Sequence, residues 1–271
     1  MGASEGVAVD LVVPGRSDAR VRTWWNPPRG PVRGWAWVQH GFARSARRLG
    51  GLGALLAEHG IATVRPELAS LRPRHSMHDR VFLTSLTLAV AHAVDVGVVR
   101  RAGVETGADW IGVGHSAGSA VVVHAAAVLG SHGSPASGLV LLDPVDTVGR
   151  LLHSALPALG VGGRGEGNGG EAMPVSIAAF ALRPSRCNRH GAASEWIAEL
   201  PGAAVVRRDD LSHPDPERIP AQLRADAVPP PDRVAALACG RPGDAEAVVS
   251  LGRAGLEASL GMLAGPGHAV G

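Results

Sequence analysis

Apolar and polar positions fall into short runs of two kinds along this chain. Val7-Ala-Val-Asp-Leu-Val-Val13 and Ala19-Arg-Val-Arg-Thr-Trp-Trp25 flank Pro14-Gly15, the pattern of an antiparallel entry hairpin. Asn26-Pro-Pro-Arg-Gly-Pro31 breaks the chain. Gly34-Trp-Ala-Trp-Val-Gln39 then reads as a buried strand ending in His40-Gly41-Phe42. From Arg44 to His59 leucines recur at 49, 52, 55 and 56, a helical spacing that Gly60 closes as a C-terminal cap would. Ile61-Ala-Thr-Val-Arg65 is the next strand, stopped by Pro66, and Met77 to Arg101 carries apolar residues at the spacing of a long helix. The run Asp109-Trp-Ile-Gly-Val-Gly-His115 leads straight into Ala120-Val-Val-Val-His-Ala-Ala-Ala127, a strand turning into a helix. Gly138-Leu-Val-Leu-Leu-Asp143, Val175-Ser-Ile-Ala-Ala-Phe-Ala181 and Ala203-Ala-Val-Val-Arg207 are further apolar runs, and Arg233 to Leu263 is a helical pattern broken at Gly240-Arg-Pro-Gly243. Strands that read apolar throughout, separated by helical segments, predict an α/β fold with a mostly parallel central sheet and helices on both faces.

Neither an internal repeat nor a domain linker is visible, so residues 1–271 read as one domain. The glycine-rich stretch near 160–170 reads as a flexible insert. With 271 residues and 45% apolar content one large core can be buried, the natural size of a single α/β domain. A net charge of +2 gives no argument for a nucleic-acid partner. All 26 basic residues are arginine and tyrosine is absent, which excludes Schiff-base, pyridoxal, P-loop-lysine and Tyr–Lys reductase chemistry. No run of 18 apolar residues and no basic leader followed by an apolar core occurs, so no membrane span and a cytoplasmic location are expected. Cys187 and Cys239 form no disulfide framework; two free thiols are expected, with a single bridge between them as the alternative. His75-x-x-His78 has no glutamate beside it and makes a poor zinc site. No metal or organic cofactor is implied.

Candidate chemistry concentrates at Gly114-x-Ser116-x-Gly118. A nucleophilic serine must stand on a tight strand-to-helix turn with its Oγ free, and small flanking residues let the two backbones approach. The N-terminal N–H groups of the following helix favour negative charge where an oxyanion would form. Gly112-x-Gly114-x-x-Ala117 also fits a dinucleotide fingerprint. That alternative wants an acid about 20 positions on, and none lies between Asp109 and Asp143. A serine needs a base, and the base needs an orienting acid. In the order serine, acid, histidine, Asp143 ends the first strand after the turn and His213 follows the last strand. Asp146 and His190 are the alternatives for acid and base. The loop after the third strand, with Gly41, can aim the N–H of Phe42 at an oxyanion together with that of Ala117; His40 reads as structural. Leu151, Leu152, Leu156 and Leu159 occupy a lid position, where they either line a pocket or pack on the sheet.

His-Gly-Phe at 40–42, Glu58-His-Gly-Ile-Ala-Thr-Val-Arg-Pro66, Gly-His-Ser-Ala-Gly at 114–118, Leu142-Asp-Pro-Val-Asp146 and Leu211-Ser-His213 together resemble the α/β-hydrolase superfamily. Within it the chain is most similar to the chlorophyllase-like group related to bacterial polyester and dienelactone hydrolases. The elbow departs from the chlorophyllase pattern at Ala117 and Ser119. The resemblance implies a serine esterase with a minimal lid and an acyl-serine intermediate. In it Ser116, His213 and Asp143 form the catalytic triad, Phe42 and Ala117 the oxyanion hole, and a small-molecule ester the substrate. Thioester hydrolysis, acyl transfer and a non-catalytic binding role of the same fold are the alternatives.

Overall fold

The structure is a computed structural model that describes residues 6–15, 19–72, 74–96, 108–146, 150–159 and 175–264. Its frame is an eight-stranded sheet of order β1-β2-β4-β3-β5-β6-β7-β8. β1 (Val7–Val13) and β2 (Ala19–Asn26) form the expected hairpin, and β2 also runs antiparallel to β4 (Ile61–Pro66). The remaining strands pair in parallel: β3 (Gly34–Gln39), β5 (Trp110–His115), β6 (Gly138–Leu142), β7 (Ser176–Leu182) and β8 (Ala203–Arg208). β3 to β6 are buried along their whole length, as continuous apolar runs require. β8 departs from the expectation of a strand covered on both faces. It is one of the two edge strands, and every other one of its first four residues is exposed, so Val206 faces solvent at 47%.

Two apolar clusters lie on opposite sides of the sheet. One packs α2 (Arg80–Val96), α3 (Gly118–Ser131), α4 (Leu151–Ala155) and α5 (Ala192–Ile197), and the other packs α1 (Gly50–Glu58) and α7 (Ala245–Leu263). α6 (Arg233–Cys239) precedes α7, and the two are divided where Gly240-Arg-Pro-Gly243 breaks the pattern. Their starts are fixed by side-chain caps: Asp232 accepts from the amides of Val234 and Ala235, and Asp244 from that of Ala247, contacts typically worth about 1 kcal/mol each. α2 starts at Arg80 rather than Met77 because Asp79 accepts from the Phe82 amide (3.0 Å). The expected extension to Arg101 and the glycine-rich stretch near 160–170 lie outside the described residues. Leu151, Leu152, Leu156 and Leu159 are buried on the α3 side of the core. They are part of the core on that side of the sheet.

Cys187 and Cys239 are bonded to each other, with Cα atoms 5.3 Å apart; the expectation of two free thiols is therefore corrected. Two cysteines 52 positions apart carry no local signal of pairing. The fold brings them together by returning α6 beside the loop that follows β7. Among the described residues no helix is long and apolar enough to cross a membrane, and no group of three or more His, Cys, Asp and Glu side chains is placed to hold a metal ion.

Replacing both cysteines (Cys187→Ser with Cys239→Ser) is expected to cost about 4 kcal/mol on the chain-entropy account of a loop this long. Calorimetry would show it as a clear fall in Tm relative to the oxidised protein.

Candidate active site

Parallel register sets the site. His115 pairs with Leu142 and Leu142 with Phe180, so the next residue of β5 and of β6 emerges at the same rim. The Ser116 amide donates to Leu142 O (3.0 Å) and the Asp143 amide to Phe180 O (2.8 Å). Both residues turn out of the sheet in the left-handed region, Ser116 at φ 57° and Asp143 at φ 50°, a conformation that costs a non-glycine residue about 1–3 kcal/mol unless its surroundings hold it. At Ser116 the surroundings are backbone. A Cβ on Gly114 would come within 2.4 Å of Ser119 Cα, and one on Gly41 within 2.6 Å of Ser116 Cβ and 3.1 Å of its Oγ. No larger residue fits either place, which gives the Gly-x-Ser-x-Gly and His-Gly-Phe spacings a steric cause.

Asp143 is fully buried. Its Oδ1 accepts from the Leu182 amide (3.1 Å), both oxygens accept from the Asn188 side-chain amide (3.1 and 3.0 Å), and Oδ2 accepts from His213 Nδ1 (2.5 Å). Nδ1–H of the imidazole is thereby committed to the carboxylate, leaving Nε2 with its lone pair. His213 is held a second time through its main chain: His115 Nε2 donates to His213 O (2.8 Å), and the two rings lie 5.0 Å apart. Ser116 follows His115 directly, so this contact ties the main chain of His213 to the residue before the serine. Ser116 Oγ forms no hydrogen bond with a described residue.

The amides proposed for an oxyanion are present. Neither Phe42 N nor Ala117 N donates to a described acceptor, and Ala117 caps the N-terminus of α3. His40 is structural as expected: Nδ1 bonds Gly41 O (2.9 Å), Nε2 accepts from the Leu68 amide (3.0 Å), and burial lowers its pKa. The alternatives to the acid and the base are placed elsewhere. Asp146 accepts from the amides of Leu152 and His153 at the start of α4, and His190 is exposed on the loop after β7.

Three contributors carried no motif. Asn188 sits where β7 hands over to its loop. Ser185 N donates to its Oδ1 (2.8 Å) and its neighbour Cys187 is tied to α6, so its amide is held facing Asp143. His115, the variable letter of the glycine motif, and Glu217 form a buried pair behind the base, with Nδ1 to Oε1 3.8 Å. Arg44 and Arg48 hold Glu217 from the far side (3.0 and 3.4 Å). Burial, then the proximity of His213, drives His115 well below the ordinary imidazole value. Burial pushes the Glu217 carboxyl up against the pull of the two arginines.

No family model matches the sequence, and no curated protein matches it. Solved structures do. Est1E from Butyrivibrio proteoclasticus is 13% identical, with 95% of this chain and 99% of that one covered at a TM-score of 0.58. A mutant of the esterase rPPE is also 13% identical, covering 96% and 85% at 0.58. A complex described as ferulic acid bound to Est1E superposes over 76% and 91% at 0.53, with 14% identity. The chain has the α/β-hydrolase fold.

The buried histidines make stability depend on pH. His115 and His40 bind a proton less readily folded than unfolded, so the stability their neutral forms allow is complete above about pH 6.5 and drains away as pH falls below it. Glu217 acts in the opposite sense, losing stability as pH rises above its ordinary value near 4.5 toward its raised one. Burial lowers His78 and His124 as well, so with four imidazoles against one carboxyl Tm is expected to fall between pH 7 and pH 5, and to fall less steeply in His115→Gln. Equal slopes in a thermal-melt series would contradict this.

Proposed function

We propose that the protein is a carboxylic ester hydrolase that works through an acyl-serine intermediate. The observation that carries this reading is the Asp143–His213 hydrogen bond of 2.5 Å at the same rim as a left-handed serine elbow. The names of the fold's neighbours point the same way. His213 Nε2 takes the proton as Ser116 Oγ attacks the ester carbonyl, and Asp143 steadies the imidazolium that results. Phe42 N and Ala117 N hold the oxyanion of the tetrahedral intermediate. His213 then returns the proton to the departing alcohol, and water, activated by the same base, releases the acid. The Leu142-Asp-Pro-Val-Asp146 segment, with Asp143 at its head, is what supports the chlorophyllase-like grouping. Thioesters and acyl transfer would engage the same atoms, since the site fixes the intermediate and not the second nucleophile. No step requires a metal or organic cofactor. The Cys187–Cys239 bridge bears on location, because such bonds persist in oxidising surroundings and are rare in a reducing cytosol; it pulls against the cytoplasmic expectation.

Ser116→Ala is expected to abolish cleavage of short 4-nitrophenyl esters, lowering kcat by at least about 10⁴-fold, with the melting curve unchanged. A fluorophosphonate probe should label the wild type and not the variant. Labelling of the variant, or substantial turnover by it, would reject the mechanism. Asn188→Ala leaves Asp143 with one donor fewer and is expected to lower kcat on the order of tenfold, the effect of one unmade hydrogen bond to a buried charge, with little change in KM.

A further inference from the structure

A cleft of about 550 Å³ is lined by neighbours of Ser116 and Asp143, though by none of Ser116, Asp143 and His213 themselves. Val145, whose amide donates to the Ser116 carbonyl (3.2 Å), and Asn188, which grips Asp143, both line it. Trp196 also lines it, its ring 4.7 Å from that of His153. Arg150 and Arg189 stand in the remaining lining, one on the loop after β6 and one on the loop after β7. Neither guanidinium makes an ion pair or side-chain hydrogen bond with a described residue. Asp146 is the one acid of the lining, and its two oxygens are already engaged by the Leu152 and His153 amides. The lining thus combines apolar and aromatic surface with two arginines against one carboxylate, a net positive charge.

Both arginines are among the seven described non-glycine residues with positive φ. Arg150 (φ 51°) and Arg189 (φ 50°) are both left-handed, a conformation without benefit to an ordinary surface arginine. Non-glycine residues held this way cluster at catalytic groups and ligand clamps; here the same region holds Ser116 and Asp143.

We propose that this cleft is a carboxylate-recognition subsite, so that the preferred substrates are esters carrying an anionic group beyond a flat or apolar spacer. The spacer lies on Trp196, whose ring offers a broad apolar face, and the carboxylate meets the two guanidiniums through charge-assisted hydrogen bonds. This specificity rests on the ester-hydrolase reading, while the subsite itself does not.

Two matched substrate pairs test it: 4-nitrophenyl hemiglutarate against its methyl ester, and 4-acetoxybenzoate against methyl 4-acetoxybenzoate, which put the charge on the acyl and the alcohol side. In at least one pair kcat/KM is expected to favour the anion by about tenfold, the scale of one charge-assisted contact that remains partly wet. The ratio should approach unity in Arg150→Gln/Arg189→Gln. A ratio near unity for both pairs in the wild type, or a preference that survives in the double variant, overturns the proposal. Calorimetry with benzoate and benzamide reads the subsite without catalysis: benzoate should bind more tightly, and the double variant should lose the difference. If neither ester is cleaved and no fluorophosphonate label appears while benzoate still binds through the arginines, the ester-hydrolase reading falls and the subsite stands. Equal binding of benzoate and benzamide by the wild type sinks the subsite.

Discussion

An ionised carboxylate withdrawn from water must be met by donors from the protein, since the cost of leaving it bare is several kcal/mol. Asp143 is such a group, and the ends of three strands are arranged around it. It follows β6 directly, β7 supplies the Leu182 amide, the loop after β7 supplies Asn188, and the loop after β8 brings His213. Each of these elements also has its own attachment: Asn188 through Ser185 and the neighbouring disulfide, His213 through His115. The carboxylate therefore does more than orient one imidazole. Its demand for four hydrogen bonds fixes how the loops at this rim meet, and a change in any donor is felt by all the others.

Most of the frame was legible in the sequence because buried parallel strands leave an unmistakable trace. β3, β4, β5 and β6 lie within a residue or so of their apolar runs. Ser116, Asp143 and His213 were legible for a related reason: chain order combined with strand ends says which residues emerge at one rim. What escaped has physical causes. Asn188 hides in Leu-Arg-Pro-Ser-Arg-Cys-Asn, where an amide has no spacing rule, although the lack of a carboxylate after β7 pointed to the position. The disulfide escaped because pairing depends on where α6 returns, which no local pattern encodes. The four leucines from 151 to 159 were ambiguous because burial in a core and lining of a pocket demand the same apolar side chains; packing against α3 decides for the core. β8 read as buried because its alanines and valines suit either an edge or a centre.

Left-handed backbone is distributed unevenly in the described chain. Ser116, Asp143, Arg150, Arg189 and His190 belong to the loops that follow β5, β6 and β7, and Ala43 and His75 to those after β3 and β4. Each is held in place by close packing or hydrogen bonding: Gly41 against Ser116, the Phe180 carbonyl at the Asp143 amide, the Ser185 carbonyl at the His190 amide (2.8 Å). The regular sheet below is stable enough to carry this expense. Evolution has freedom to alter these loops while the strands stay fixed, which is how one frame can host different specificities.

Electrostatics behind the base complete the picture. On the proposed mechanism His213 accepts a proton during turnover, and nearby negative charge helps that only if it does not hold the proton permanently. Asp143 is in direct contact with Nδ1, whereas Glu217 is one ring removed, beyond His115, with its charge shared by Arg44 and Arg48. His115 remains neutral in this position, donating to the His213 carbonyl while its other nitrogen faces Glu217 without a hydrogen bond. It separates the second carboxylate from the imidazolium and fixes the main chain of the base at the same time. A charged residue in its place would either repel the imidazolium or draw Glu217 away from the arginines. The letter between Gly114 and Ser116 is therefore constrained by the base as well as by the turn, which explains why a neutral, hydrogen-bonding side chain stands there although the glycine motif leaves that position open.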